Sequence, residues 1–418
     1  MNFIPIAPTN MNGEFDDTLI EWVGRICAKS AALAGSHNGA VLNEVRELLR
    51  IINSYYSNLI ESDGTHPSNI EKAMKQEFSK DEKNNKLQKL SVAHIHVQRL
   101  IENDLVDNSV FDSDFIRFVH REMYSQDGME QYLNIFDKDT SETVQMIPGE
   151  FRTHDVAVGK YNAPAFGEVN GLMSQYAHLY GLEFRKELTA KKLIYALASH
   201  HRLVWIHPFL DGNGRVSRLV LDGAISSCGI SGYGLWNISR GLARSVEAYK
   251  ENLRHADMPR QGQYDGKGDL SAGALRSYVE YMLTVAEDQI DYMSSLLKMD
   301  GLTTRLENYV AFANKRMLGI EELPKGSAQI FKHLLIHGES QRGSMAQVIG
   351  AGERTTTKVV QELLKREFLS TPSPKGPIHL RFPSHMASYV FPDLMPVLSI
   401  NETIPAKRKA GRPRKADI

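Results

Sequence analysis

The sequence predicts a mainly α-helical protein, and three observations carry that expectation. Apolar residues recur at three- and four-residue spacings through most of the 418 residues. Strand-like runs bounded by turn residues are confined to two short stretches, 146–173 and 368–382. Gly, Pro, Asn and Asp clusters separate the periodic segments without any tandem repeat.

Residues 1–15 read as an irregular lead-in with two prolines and Asn12-Gly13. A helix is expected over 16–35, with Leu19, Ile20, Val23 and Ile26 inward, and a longer one over 38–62, where Val41, Leu42, Val45, Leu48, Leu49, Ile52, Tyr56 and Leu59 keep the helical period. After the turn Ser62-Asp63-Gly64, residues 66–107 continue helical, with Leu87, Leu90, Ile95, Val97, Leu100 and Ile101 as apolar faces. His94 and His96 lie two apart, cannot share a helix face, and read as ordinary partly buried or surface histidines. Residues 112–125 form another helix, followed by the hairpin-like 146–173.

Two helices, Leu188–Trp205 and one carrying Val216, Leu219, Val220, Ala224 and Ile225, flank a dense loop. Gly262 to Gly273 is too irregular for a dinucleotide loop and reads as a connection, and helices resume over about 274–318. Residues 326–383 look separate: a helix over Ala328–His337, a short one over Ser344–Ile349, a Gly350-Ala351-Gly352 turn, a third helix over Glu353–Glu367, then two strand-like runs around Pro372–Pro377. The expected divisions are an N-terminal helical region at 1–110, a core at 111–260, a helical connection at 261–325, a small domain at 326–385 and a tail at 386–418.

A hydrophobic share of 42% suffices for ordinary globular cores, and a net charge of −1 confines any polyanion binding to local patches. The two cysteines, Cys27 and Cys228, give neither a disulfide framework nor zinc spacing and fit a reducing cytoplasm. Residues 1–14 lack a basic start and apolar core, so no signal peptide is expected. No apolar run approaches eighteen residues, so no membrane span is expected.

Chemistry concentrates in His207-Pro208-Phe209-Leu210-Asp211-Gly212-Asn213-Gly214-Arg215-Val216-Ser217-Arg218. The first N–H groups of the following helix lack intrahelical partners, and the helix dipole adds positive potential. Gly212 and Gly214 leave the backbone open to a ligand, Asn213 adds an amide donor, and Arg215 and Arg218 share a helix face. That is an anion site suited to a polyphosphate. Asp211, a carboxylate among phosphate-binding groups, suits magnesium. His207 is the group best able to take a proton near neutral pH. His200 and His201 precede the loop without completing a metal-ligand set and read as packing or support for it.

This string resembles the signature of the Fic (Fido) family, His-x-Phe-x-(Asp/Glu)-Gly-Asn-Gly-Arg-x-x-Arg, and meets every specified position. The resemblance implies transfer of AMP from ATP to a Ser, Thr or Tyr hydroxyl of a protein. It makes His207 the general base and Asp211 the magnesium ligand. Gly212, Asn213 and Gly214 would cradle the α- and β-phosphates, Arg215 would bind the β-phosphate and Arg218 the γ-phosphate. Trp236 to Arg240 and Tyr249 fall in a segment that closes over the nucleotide base in such proteins, with Tyr249 expected to line it.

Further stretches carry the same resemblance. Ser57-Asn58-Leu59-Ile60-Glu61-Ser62 is similar to the family's inhibitory motif, (Ser/Thr)-x-x-x-Glu-(Gly/Asn), departing from it at Ser62. By that resemblance Glu61 pairs with Arg218 and keeps the γ-phosphate out. Pro148-Gly149-Glu150-Phe151-Arg152 and the run after it resemble the flap, along which a protein substrate docks as an added strand near residues 150–160. The 326–383 pattern resembles a winged helix domain, with Arg354, Lys358 and the threonines of its third helix able to reach DNA; docking of a protein partner, or dimerisation, is the rival reading. Lys407, Arg408, Lys409, Arg412, Arg414 and Lys415 make the tail basic, and Gly411-Arg412-Pro413-Arg414 resembles an AT-hook.

The resulting expectation is a Fic helical core with a β-hairpin flap, followed by a winged helix domain, working as a magnesium- and ATP-dependent protein adenylyltransferase restrained by Glu61. Removal of AMP, transfer of another phosphate-containing group, and a nucleotide-sensing DNA-binding regulator remain alternatives. Homodimerisation stays open.

Overall fold

The computed structural model describes residues 2–10, 12–104, 110–136, 143–158 and 161–396; of the tail expected at 386–418, residues 397–418 with its basic stretch lie outside them, as do residues 159–160, whereas Ser384–Val390 is helical and not tail. The chain packs as two units, Met1–Ser36 with Val45–Leu297, and His37–Glu44 with Lys298–Ile418.

The first unit is built from α1 (Asp17–Ala34), α2 (Gly39–Ile60) from Val45 onward, α3 (Pro67–Met74), α4 (Glu82–Asp104), α5 (Ser113–Tyr124), β1 (Asn134–Phe136), β2 (Thr143–Gln145), β3 (Ala157–Val158), β4 (Tyr161–Asn162), α6 (Val169–Lys186), α7 (Thr189–Ile206), α8 (Asn213–Ser226), α9 (Ile238–Arg244), α10 (Val246–Ala256) and α11 (Ala272–Leu296). Helix α7 is the axis: from Leu193 to Leu203 every residue is buried, and α6, α8, α1 and α11 pack around it. A helix buried on all sides must satisfy its polar side chains internally. Ser199 donates to the Ala196 carbonyl at 2.8 Å, and Arg202 donates to the Pro5 carbonyl at 2.9 and 3.1 Å. Helix α8 is held between α7, α5 and α4, so its first turn faces the ends of several elements at once.

Two expectations need correction here. The helix expected over 66–107 is interrupted: α3 stops at Met74, Gln76 takes φ +65°, and α4 starts at Glu82. The break is held by hydrogen bonds to the start of α4, the Ser79 N–H donating to Gln88 Oε1 at 2.7 Å and Asp81 capping the helix by accepting from the Asn84 N–H at 2.9 Å. The hairpin at 157–162 is joined by a second one, β1 paired antiparallel with β2 through Ile135 opposite Val144. Helix α6, which no expectation covered beyond residue 173, buries Tyr176 and Tyr180 against Phe111 at ring separations of 6.1 and 5.6 Å.

The second unit contains α12 (Met299–Asn314), α13 (Ser327–His337), β5 (Glu339–Ser340), α14 (Met345–Ile349), α15 (Glu353–Lys365), β6 (Leu369–Ser370), β7 (Ile378–Leu380) and α16 (Ser384–Val390). Its antiparallel sheet runs β5-β7-β6. Phe331 and Phe368 are fully buried with rings 5.7 Å apart, tying α13 to the start of the β6–β7 hairpin. The stretch expected to be helical to 318 breaks at Leu297–Lys298, leaving α11 in the first unit and α12 in the second. No helix among the described residues is long and apolar enough to cross a membrane.

Candidate active site

The loop between α7 and α8 is rigid because it hydrogen-bonds to itself. Asn213 Oδ1 accepts from the Phe209 N–H at 2.9 Å while Asn213 Nδ2 donates to the Phe209 carbonyl at 2.8 Å. That occupies the Asn213 amide, so toward a ligand Asn213 offers its backbone N–H at the head of α8. Gly212 adopts φ +78°, and a Cβ there would meet the Tyr124 ring at 2.5 Å, so both backbone and space require glycine. Asp211 is exposed beside that turn, with Oδ1 accepting from the Gly212 N–H at 2.6 Å. No group of three or more acidic, His or Cys side chains among the described residues could hold a metal. A divalent ion here would therefore take most of its ligands from phosphate oxygens and water, the usual arrangement for magnesium.

His207 ends α7 in the left-handed conformation, φ +52°. Its Nδ1 lies 3.3 Å from the Val204 carbonyl. An N–H there points at that oxygen and leaves Nε2 with the lone pair, the form a general base needs. Burial pushes the imidazole down to about 4, aided by Arg152 and opposed by the Val204 carbonyl and Glu61. The ring is thus neutral at physiological pH.

The flap is bolted to this loop from two sides. Arg152, 3% exposed, donates to the carbonyls of His207 and His154 at 2.9 Å each and to that of Pro164, while its own N–H donates to the Pro208 carbonyl at 2.9 Å. On the other side stands His120 of α5, fully buried and stacked on Phe209 at 3.9 Å. The Gly149 N–H donates to His120 Nδ1 at 2.9 Å, and His120 Nε2 lies 3.3 Å from the Asp211 carbonyl. One imidazole therefore joins the flap root to the loop. The family pattern covers Arg152 but gave no reason to single out His120, which reads as one polar residue in an amphipathic helix.

The two arginines are already occupied. Arg218 donates through Nε to Ser57 Oγ at 3.0 Å and through Nη2 to the Ser57 carbonyl and Glu61 Oε1, both at 2.8 Å. Arg215 donates through Nε to Asn58 Oδ1 at 3.0 Å, and its Nη2 makes an ion pair with Asp63. A Cβ at Gly214 would collide with Glu61 Oε1, so the carboxylate lies against the first turn of α8, where an anion is favoured. Burial disfavours the charge on Glu61, but Arg218 and Arg215 outweigh it and hold the carboxyl below its usual range.

The chain reaches this position through a Schellman cap. The Asp63 N–H donates to the Asn58 carbonyl at 2.9 Å, the Ser62 N–H donates to the Leu59 carbonyl at 2.9 Å, and Ser62 takes φ +67°. The position where Gly or Asn is usual is the left-handed residue of the cap, which explains that preference and marks Ser62 as a strained substitute.

Tyr249 is only 3% exposed; its hydroxyl lies 2.7 Å from His200 Nε2, with the rings stacked, so it backs the site and lines no open surface. His200 Nδ1 faces the Ser217 carbonyl at 3.2 Å, and His201 pairs with Asp257 at 3.0 Å, both as support. His94, expected to be partly buried or at the surface, is 1% exposed, and burial with Arg218 nearby lowers it to about 3.

Residues 111–223, from the start of α5 to within α8, match the family described as Fic/DOC. This segment is a Fic/DOC domain. An 81-residue stretch is 40% identical to the protein adenylyltransferase Fic of Drosophila virilis and, at the same identity and length, to that of Drosophila mojavensis. Each match covers 19% of this chain and spans only 16% of the relative's length. A solved Fic domain containing signaling protein from Bacteroides thetaiotaomicron aligns over 65% of this chain and 95% of its own, with 18% identity and a TM-score of 0.50. At that identity the likeness speaks to the fold, which is the mainly helical Fic fold with a small β-hairpin.

Proposed function

We propose that this chain is a protein adenylyltransferase that moves AMP from ATP to a hydroxyl side chain of a protein, restrained by Glu61. The observation that carries the reading is His207, with Nδ1 facing the Val204 carbonyl, beside a helix N-terminus whose two buried arginines hold the carboxylates of Glu61 and Asp63. Positioning and charge stabilisation are what phosphoryl chemistry asks of a protein. The backbone N–H groups at Asn213 and Gly214, with that of Gly212 once Asp211 Oδ1 releases it, would cradle the phosphates, with Arg215 on the β- and Arg218 on the γ-phosphate. Asp211 would hold magnesium, which supplies charge neutralisation on the phosphates when bound. The acceptor hydroxyl would give its proton to His207 Nε2 as its oxygen bonds to the α-phosphorus. The bond from that phosphorus to the bridging oxygen breaks, and diphosphate leaves.

The flap supports the acceptor. Ala157 pairs with Asn162 and Val158 with Tyr161, and the hairpin is anchored by Arg152 beside His207. A target segment added to its edge would gain main-chain hydrogen bonds with little demand on sequence.

The second unit supports a winged helix reading: helix, strand, two helices and a hairpin in order, with the sheet β5-β7-β6. Arg354, Thr355 and Lys358 are exposed on α15, the helix that such a module lays in a DNA groove. Thr356 is instead buried, its hydroxyl 3.1 Å from the Gly352 carbonyl.

Intact-mass measurement after incubation with ATP and magnesium tests the enzyme reading. The Glu61→Gly chain is expected to gain mass in steps of one AMP faster than wild type, and Glu61→Gly with His207→Ala to gain none. Equal labelling with and without His207 would remove it from the mechanism.

A further inference from the structure

The end of α2 carries a second acidic group that Glu61's role leaves unexplained. Glu61 hydrogen-bonds to Arg218 and does not reach Arg215 by a hydrogen bond. Asp63 takes Arg215 instead. Each of the three Arg215 guanidinium nitrogens then donates to a protein oxygen: Nε to Asn58 Oδ1, Nη2 to Asp63 and Nη1 to the Tyr124 hydroxyl at 3.4 Å. A phosphate that forks onto Nη2 of Arg215 competes with Asp63 for it.

We infer that Asp63 is a second competing anion of the nucleotide site, a carboxylate that stands in for the β-phosphate on Arg215 as Glu61 stands in for the γ-phosphate on Arg218. The inference rests on the adenylyltransferase reading and on its assignment of the two arginines.

The geometry of the cap makes the pair work as a unit. Ser62 at φ +67° turns the chain so that residues 61 and 63, on either side of it, both return toward the head of α8. The arginine side chains are fixed, 5% and 3% exposed, whereas Asp63 and Glu61 are 35% and 32% exposed. When nucleotide arrives the arginines can stay in place and exchange one anion for another. The two carboxylates swing to water, where their charge is solvated at little cost. A diphosphate has to displace Asp63 alone; a triphosphate has to displace both. Asp63 therefore weakens both nucleotides alike, and Glu61 adds a penalty that only the triphosphate meets.

Calorimetric titration of ADP and of ATP, each with magnesium, into the full-length chain separates the arms. The background is His207→Ala, so that no turnover occurs. Asp63→Asn is expected to tighten both nucleotides about tenfold, the scale of one charge-assisted contact. Glu61→Gln is expected to tighten ATP by a similar factor and ADP by less than about twofold. The double variant should show the product of the two factors for ATP. Thermal melts establish that each variant is folded. Asp63→Asn leaving ADP affinity within twofold of its parent, with a native melt, overturns the assignment, as does Glu61→Gln alone reaching the ATP affinity of the double variant. In both cases ATP binding released by Glu61→Gln leaves the enzyme reading standing. If the folded double variant binds neither nucleotide, both readings fall together.

Discussion

The loop from His207 to Arg218 and the helix end from Ser57 to Asp63 meet at the same two guanidinium groups, and they are built on opposite principles. The loop is local: Asn213 staples it to Phe209 four residues away, and its geometry needs only twelve consecutive residues. The helix end is remote: Glu61 reaches Arg218 across 157 positions and Asp63 reaches Arg215 across 152. The loop offers donors in a fixed array, whereas the helix end offers carboxylates that water can reclaim. A site made to hold phosphates must keep its charged donors satisfied when empty, since buried guanidinium groups without partners are costly. The acidic helix end meets that need, and in the proposed reading it competes with the substrate through the same contacts.

The largest effect that sharpens this contrast is expected at His120, which belongs to neither partner yet holds the loop against the flap. His120→Phe keeps the stacking on Phe209 and removes both hydrogen bonds, leaving the Gly149 N–H and Asp211 carbonyl without their partner. In the Glu61→Gly background, kcat for AMP transfer should fall about tenfold, roughly 1.4 kcal/mol, while ATP affinity is retained. A loss confined to KM for ATP would show that His120 shapes the phosphate cradle and leaves the juxtaposition of flap and base untouched. His120→Gln, which restores one donor and one acceptor, should recover part of kcat.

The contrast also governs what the sequence disclosed. The loop could be read residue by residue because every chemical role lies within one helix boundary, and the structure places His207, Asp211, Gly212, Gly214, Arg215 and Arg218 around one helix start. Even there the Asn213 side chain reads as a ligand donor, because an amide looks like one until its staple to Phe209 is seen. Glu61 was legible only through a short family pattern, and Asp63 not at all, since nothing local links it to Arg215. The same holds for the fold. Periodicity located the long helices, but the break at 75–81 contains no Gly or Pro and is held by Gln88 and Asp81. The hairpin β1–β2 has three residues per strand, too few for an alternation to register.

A smaller effect tests whether the brake is locked by its turn. Ser62→Gly removes the left-handed penalty at φ +67° and should stabilise the first unit by about 1 kcal/mol, raising Tm by about 2 °C. Ser62→Val should lower Tm, because a β-branched side chain resists that conformation. If both variants melt like wild type, the cap is not a fixed element and the two carboxylates act independently.

The smallest effect concerns pH, and its sign follows from burial. A surface histidine acting as base would lose activity as pH falls through about 6.5. His207 is instead held down to about 4, so its neutral form persists well below neutrality and the proton acceptor is already present at pH 7. Glu61 is shifted in the same direction for a different reason, its carboxylate being stabilised by Arg218 and Arg215, so the brake stays charged over the same range. Base and brake therefore keep their states together between about pH 5.5 and 8. The ratio of transfer rates between Glu61→Gly and wild type should be flat across that window, at constant magnesium and ATP. A ratio that collapses near pH 6.5 would mean that the Glu61 carboxylate titrates there, since His207 is common to both chains and cancels, whereas a falling limb in the rate of Glu61→Gly alone would assign a titration to His207.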